Sequence, residues 1–132
     1  MEFFNDGASK SYDTKWITEL IKPHLAKNGI LVSLQNGMTT DDIAKIISKE
    51  RVISCVVELS CELFIPGQIQ RNTPINKTWF AIENKNTDYL NIIFKMLSNA
   101  GRVVKIDDIQ SAKWMKLLVN SMSLGPFAIL GR

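Results

Sequence analysis

Two lysines and an asparagine late in the chain, Lys113, Lys116 and Asn120, are spaced so that a helix would gather them on one side. At about 100° per residue they fall within an arc of roughly 60°. Trp114, Met115, Leu117, Leu118, Val119 and Met122 occupy most of the rest of the circumference. A helix that is apolar nearly all round is ordinarily buried, and burying two ammonium groups is costly unless they meet a wet cleft or a charged ligand. The stripe therefore reads either as the lining of such a cleft or as the narrow solvent face of a surface helix, and the pattern leaves both open.

The other reactive side chains offer less. Cys55 and Cys61 are the two cysteines and lack Cys-x-x-Cys spacing. With the single His24 they do not complete a zinc site unless carboxylates join them, so no metal is expected. Both are expected as reduced thiols packed like small hydrophobes. His24 follows Pro23 near the end of a helical stretch, where a histidine commonly caps carbonyls. Asn36-Gly37, taken alone, is an ordinary turn pair, and Lys10 alone is a solvated lysine.

Composition sets the frame for these residues. The chain has 132 residues, of which 45% are hydrophobic and 22% charged, the balance of one globular domain rather than a disordered segment. No run approaches the roughly 18 apolar residues of a membrane span, and the opening residues lack the basic and apolar regions of a secretory signal. The net charge of +3 is scattered, which argues against a nucleic-acid footprint. A cytoplasmic globular protein is expected.

The elements that must position the stripe follow from periodicity and punctuation. Asp13 or Thr14 caps a first helix with Ile17, Leu20, Ile21 and Leu25 inward, which Pro23 shortens. After Asn28-Gly29, residues Ile30 to Leu34 read as a short buried strand of the parallel type, running into the turn Gln35-Asn36-Gly37. Thr39 or Thr40 caps a second helix with Ile43, Ile46 and Ile47 inward. Val52 to Phe64 is a long apolar run ending at Pro66-Gly67, a type II turn pair. Gln68 to Thr73 and Thr78 to Ile82 are expected to complete an antiparallel meander with it. Thr87 caps a helix with Leu90, Ile93, Phe94 and Leu97 inward, Gly101 is its C′ residue, and Arg102 to Ile106 is a strand. Asp107 or Asp108 caps the last helix. The order describes an α/β domain that ends by turning helical.

Ala112-Lys113-Trp114-Met115-Lys116-Leu117-Leu118-Val119-Asn120 resembles the motif with which ketopantoate reductases (2-dehydropantoate 2-reductases) enter their helical domain. Further matches fall in order upstream: Lys10-Ser11-Tyr12-Asp13-Thr14 resembles the family's lysine motif, Leu34-Gln35-Asn36-Gly37 its Asn-Gly motif at a strand end, Glu62-Leu63 to Pro66-Gly67 its hairpin, and Ala100-Gly101 the approach to its last Rossmann-domain strand. The resemblance implies an α/β fold: residues 1–107 as the later part of a Rossmann-like NADP-binding domain with a hairpin extension, and residues 108–132 as the start of an all-α domain. It implies reduction of a 2-oxo acid by NADPH, as of ketopantoate to pantoate in pantothenate and coenzyme A biosynthesis. Lys116 is then the general acid, since a ketone that accepts hydride needs a proton at its oxygen, and neighbouring cations and desolvation bring a lysine pKa toward neutrality. By the same resemblance Asn120 binds substrate, Asn36 lies at the junction of cofactor and substrate, Lys10 lies near the nicotinamide, and Cys61 brings its backbone to the cofactor. Lys113 either helps to depress the Lys116 pKa or lies at the solvent edge.

The departures are as specific. No Gly-x-Gly-x-x-Gly occurs, so the diphosphate cradle at a helix N-terminus is absent. Phe3 to Ser9 stand in the place of a buried strand, yet Asn5, Asp6 and Gly7 are poor strand formers. Leu124 replaces a second substrate-binding asparagine common in the family, which leaves the identity of the 2-oxo acid open. The expectation is a central fragment of the enzyme, inactive alone, that associates with a second copy or a complementing segment. The alternative is a non-catalytic binding or oligomerising remnant of the same fold.

Overall fold

The computed structural model describes residues 4–5, 10–85 and 87–131, with the backbone alone at 4–5 and 123–124. A five-stranded sheet is built from β1 (Phe4–Asn5), β2 (Leu31–Ser33), β3 (Val52–Glu58), β6 (Trp79–Glu83) and β7 (Arg102–Ile106), in the order β1-β2-β3-β6-β7. The first three strands are parallel, β6 runs antiparallel to β3, and β7 is parallel to β6. Strands β4 (Cys61–Ile65) and β5 (Gln68–Arg71) form a separate two-stranded hairpin. Helices α1 (Thr14–Ile21), α2 (Thr40–Ile47), α3 (Leu90–Ser98) and α4 (Ile109–Leu130) complete the mixed α/β fold.

Alternation along the strands assigns the two faces. Ile30, Val32, Ile53, Cys55, Phe80 and Ile82 pack against Leu90 and Ile93 of α3. On the opposite face Leu31 and Val52 receive Ile43 and Ile47 of α2, while Val56 and Ala81 receive Ile109 of α4. Strand β3 is buried from Val52 to Val56, so this run needs a strand on each side. The apolar segment Trp79–Glu83 supplies the second of them. The expected meander is corrected accordingly. Val52 to Phe64 is two strands, and β6 pairs with β3 rather than with β5. The hairpin between them is exposed along both of its strands, the apolar Leu63, Phe64, Ile65 and Ile69 as much as Glu62, Gln68, Gln70 and Arg71. Its base is tied at Ser60, whose carbonyl accepts from Asn72 N (2.9 Å) and whose N–H donates to Thr73 Oγ1 (2.9 Å).

Other expectations change in detail. Phe4–Asn5 does pair with β2 in parallel register, so weak strand propensity yields to the ladder that an open sheet edge offers; the rest of Phe3 to Ser9 lies outside the described residues. Thr39 and Thr40 do not cap α2 through their side chains; Thr39 Oγ1 lies 3.4 Å from Ser33 Oγ, and Thr40 Oγ1 bonds Ser54 Oγ. The chain exits α1 through a short 3-10 turn, Lys22–His24, in which His24 is exposed. Gly67 takes the expected positive φ of 82°. Gly101 does not have a positive φ, and what requires glycine there is space: a Cβ would stand 2.6 Å from the Thr78 carbonyl oxygen.

The cysteines divide. Cys55 is fully buried, and Cys61 at the hairpin's start is exposed, against the expectation that both are packed. Burial pushes the Cys55 thiol up to about 12, because the thiolate is the charged form. Iodoacetamide at mildly alkaline pH should therefore alkylate Cys61 alone in the folded chain and both residues in denaturant, read by mass spectrometry of the peptides. Equal native labelling would contradict the burial of Cys55.

Candidate active site

Strand β2 ends at Ser33, level with Ser54 of its parallel neighbour β3, which runs on to Glu58; the candidate residues lie toward these carboxyl ends, where open α/β sheets bind ligands. Asn36 follows β2 in an exposed turn whose next residue, Gly37, has φ 97°. The turn is tied to the segment carrying Lys10. The Thr14 hydroxyl lies between Ser11 O (2.8 Å) and Gln35 Oε1 (2.7 Å), and Asp13 N donates to Lys10 O (2.9 Å). Lys10 itself is exposed.

Helix α4 enters from the other side. Asp108 caps it by accepting from Ser111 N at 3.0 Å, and the Ser111 side chain, with this backbone bond second, holds the Asp108 carboxyl below its ordinary pKa. Ile109, Ala112 and Lys113 face the sheet. Lys113 is only 3% exposed, and its Nζ donates to Thr40 Oγ1 (2.9 Å) and Gly37 O (3.3 Å). Desolvation pushes its pKa down, opposed by Cys55, Glu83 and Asp41. One turn on, Lys116 is half-buried and its Nζ donates to Val57 O at 2.7 Å, near the end of β3. It borders an open depression of about 240 Å³ with Glu58, Leu59, Ser60, Thr73 and Lys77. Asn120 follows one turn later, also half-buried.

The wheel is thus inverted relative to ordinary amphipathic packing. The polar stripe faces the body of the molecule, while Trp114, Met115, Leu118 and Met122 are exposed. Both lysines of the stripe turn inward rather than to solvent, and Lys113 is buried rather than at a solvent edge. Cys61 follows Ser60 at the base of the hairpin, opposite Arg71. Leu124 lies on α4 with its side chain outside the described residues.

Sequence reasoning overlooked the polar layer beneath the stripe. Ser54 N donates to Glu83 Oε2 (3.1 Å), Ser54 Oγ meets Thr40 Oγ1, and Thr40 receives Lys113. The available signal was the pair Ser33 and Ser54, fully buried serines that face each other in register inside otherwise apolar strands. Buried hydroxyls require partners, so their presence announces a polar layer on that face.

The model of the family described as Ketopantoate reductase PanE/ApbA matches residues 8–85, more than half of the chain. The chain belongs to this family. Among solved structures, 2-dehydropantoate 2-reductase from Geobacter metallireducens GS-15 superposes over all of the chain with a TM-score of 0.87 at 23% identity, covering 44% of that protein. The PanE/ApbA family ketopantoate reductase from Ralstonia eutropha JMP134 matches 89% of the chain and 37% of its own, with a TM-score of 0.73 at 28% identity. D-mandelate dehydrogenase, solved with NADH and anilino(oxo)acetate, matches 99% of the chain and 43% of its own, with a TM-score of 0.81 at 20% identity. No curated protein matches the chain. The chain spans less than half the length of these solved relatives. Among the described residues no helix is long and apolar enough to cross a membrane.

Proposed function

We propose that this chain is the central part of a nicotinamide-dependent reductase of 2-oxo acids, with ketopantoate as the reference substrate and NADPH as the reference cofactor. The observation that carries the reading is the inward stripe of α4, which brings Lys116 to the end of β3 while Lys113 contacts the turn after β2. Lys116 is assigned as the proton donor. Its Nζ rests on a neutral carbonyl, Val57 O, and no ion pair among the described residues engages it. An ammonium held in this way can turn to a substrate oxygen without breaking a salt bridge. Asn120, one turn along the same side, is assigned to hydrogen-bond the substrate, and Asn36 to the junction of substrate and cofactor.

A nicotinamide cofactor would supply the hydride. The residues present fit its reactive end. Asn36 and Lys10 border the strand ends, and Gly37 leaves open space where a Cβ would stand. Cys61, at the hairpin base, would meet the cofactor through its backbone. The diphosphate end has no counterpart here, since the sequence contains no Gly-x-Gly-x-x-Gly. Phosphate contacts at a helix N-terminus carry much of dinucleotide affinity. The 132-residue chain should therefore bind NADPH with a dissociation constant no tighter than about 10 μM, worth roughly −7 kcal/mol. Fluorescence titration measures this, and tighter saturable binding would contradict it.

Turnover itself is tested in a full-length reductase carrying this segment, by following oxidation of NADPH and of NADH against a panel of 2-oxo acids that includes ketopantoate. Oxidation dependent on one of these acids supports the reading. A folded enzyme inert to all of them supports the non-catalytic remnant. The exposed apolar side of α4 favours an active species that includes more chain or a second copy.

A further inference from the structure

The side chain that the site reading leaves without a role is Lys113, and its surroundings are expensive. It is a buried ammonium held by a hydroxyl and a carbonyl oxygen, and no carboxylate forms an ion pair with it among the described residues. It also lies against Thr40, the first residue of α2, where the helix dipole disfavours a cation. Glu83 on β6 and Asp41 in that first turn offset part of this cost. A methionine would fill the same length of space with no charge to desolvate. The two hydrogen bonds of Nζ are what lysine adds. One of them goes to the carbonyl of Gly37 inside a turn with positive φ, flanked by the exposed Asn36 and Met38.

We propose that Lys113 is a positioning residue: from α4 it clamps the Gly37 carbonyl and thereby fixes the Asn36-Gly37 turn at the mouth of the site. The same ammonium holds Thr40, so the turn after β2, the start of α2 and the site face of α4 are joined at one atom. Thr40 is in turn held by Ser54 on β3, and Ser54 N by Glu83 on β6, so the clamp is anchored in the sheet. A ligand that touches Asn36 would meet a turn already ordered, and ordering ahead of binding is repaid in affinity. The proposal rests on the reading of Asn36 as part of a reductase site, and its test has one arm that does not.

The first arm is backbone ¹⁵N relaxation of the chain and of Lys113→Met. Order parameters at Asn36, Gly37 and Met38 should fall from about 0.85 to below about 0.6, with the β4–β5 hairpin unchanged. The second arm is steady-state kinetics of the full-length reductase, in which Lys113→Met should raise KM about tenfold or more, the worth of a lost charge-assisted bond. Its kcat should change far less, because the proton comes from another residue. Lys113→Gln, which keeps an amide donor, takes the same measurements where the methionine variant does not fold. Unchanged order parameters overturn the clamp. A loosened turn with KM unchanged overturns the positioning role. A wild-type enzyme without turnover overturns the reductase reading, while the relaxation arm still decides the clamp.

Discussion

In a full-length reductase carrying this segment, Lys116→Ala should lower kcat by about 10²–10⁴, the usual worth of general acid catalysis. The Michaelis constant of the 2-oxo acid should move far less, because the proton is needed chiefly as negative charge develops on the carbonyl oxygen. The position of Lys116 supports this split, with its Nζ 2.7 Å from the Val57 carbonyl at a strand end and beside an open depression. Asn120→Ala should show the reverse bias, weakening substrate binding through one hydrogen bond worth roughly 1–3 kcal/mol. Steady-state kinetics on both variants check the pair. If Lys116→Ala turns over at the wild-type rate while Lys113→Met abolishes kcat, the proton donor is Lys113 and the assignment is displaced by one helical turn.

Gly101→Ala should destabilise the folded chain by about 1–3 kcal/mol, the cost of overpacking a closed site. The added Cβ would press on the Thr78 carbonyl oxygen at 2.6 Å and on the Thr78 side chain at 2.8 and 2.9 Å. That oxygen is already engaged, accepting from Arg102 N at 2.9 Å where β7 begins beside β6. The same corner is bound by Arg71, which donates to Thr78 Oγ1 (2.5 Å), Ala100 O (2.7 Å) and Thr73 O (2.7 Å). Relief of the clash must therefore move backbone that three segments share. Denaturant unfolding with a fixed m-value measures the loss. A difference within about 0.5 kcal/mol, the range of ordinary surface substitutions, would show that the corner relaxes freely.

These two residues illustrate how far local pattern reaches. The helix N-terminal to Gly101 is read from Leu90 and Ile93, and both are buried in the structure. The glycine after it is read equally well, yet for the wrong reason. A left-handed cap would follow from helix chemistry alone, whereas the approach of Thr78 is a contact between segments 23 residues apart in sequence. The hairpin fared likewise. Pro66-Gly67 marked its turn, and Gly67 has the required φ. Nothing local showed that the strand after it would pass the hairpin by and return to β3.

By itself the sequence determined most of the helices and strands, the turn glycines at 37 and 67, and the placing of Lys113, Lys116 and Asn120 on one side of a helix. Each of these depends on periods of two or 3.6 residues or on the backbone freedom of a single residue, which neighbours in the chain dictate. Only the tertiary structure decided which way the stripe points. Two ammonium groups on an apolar helix favour solvent unless the opposite surface offers oxygen atoms to receive them. Those atoms are Val57 O, Gly37 O and Thr40 Oγ1, contributed by segments 59 to 76 residues away from the lysines they meet. No periodicity within α4 carries information about them, so the orientation of the helix is settled where α4 meets β3 and the two loops beside it.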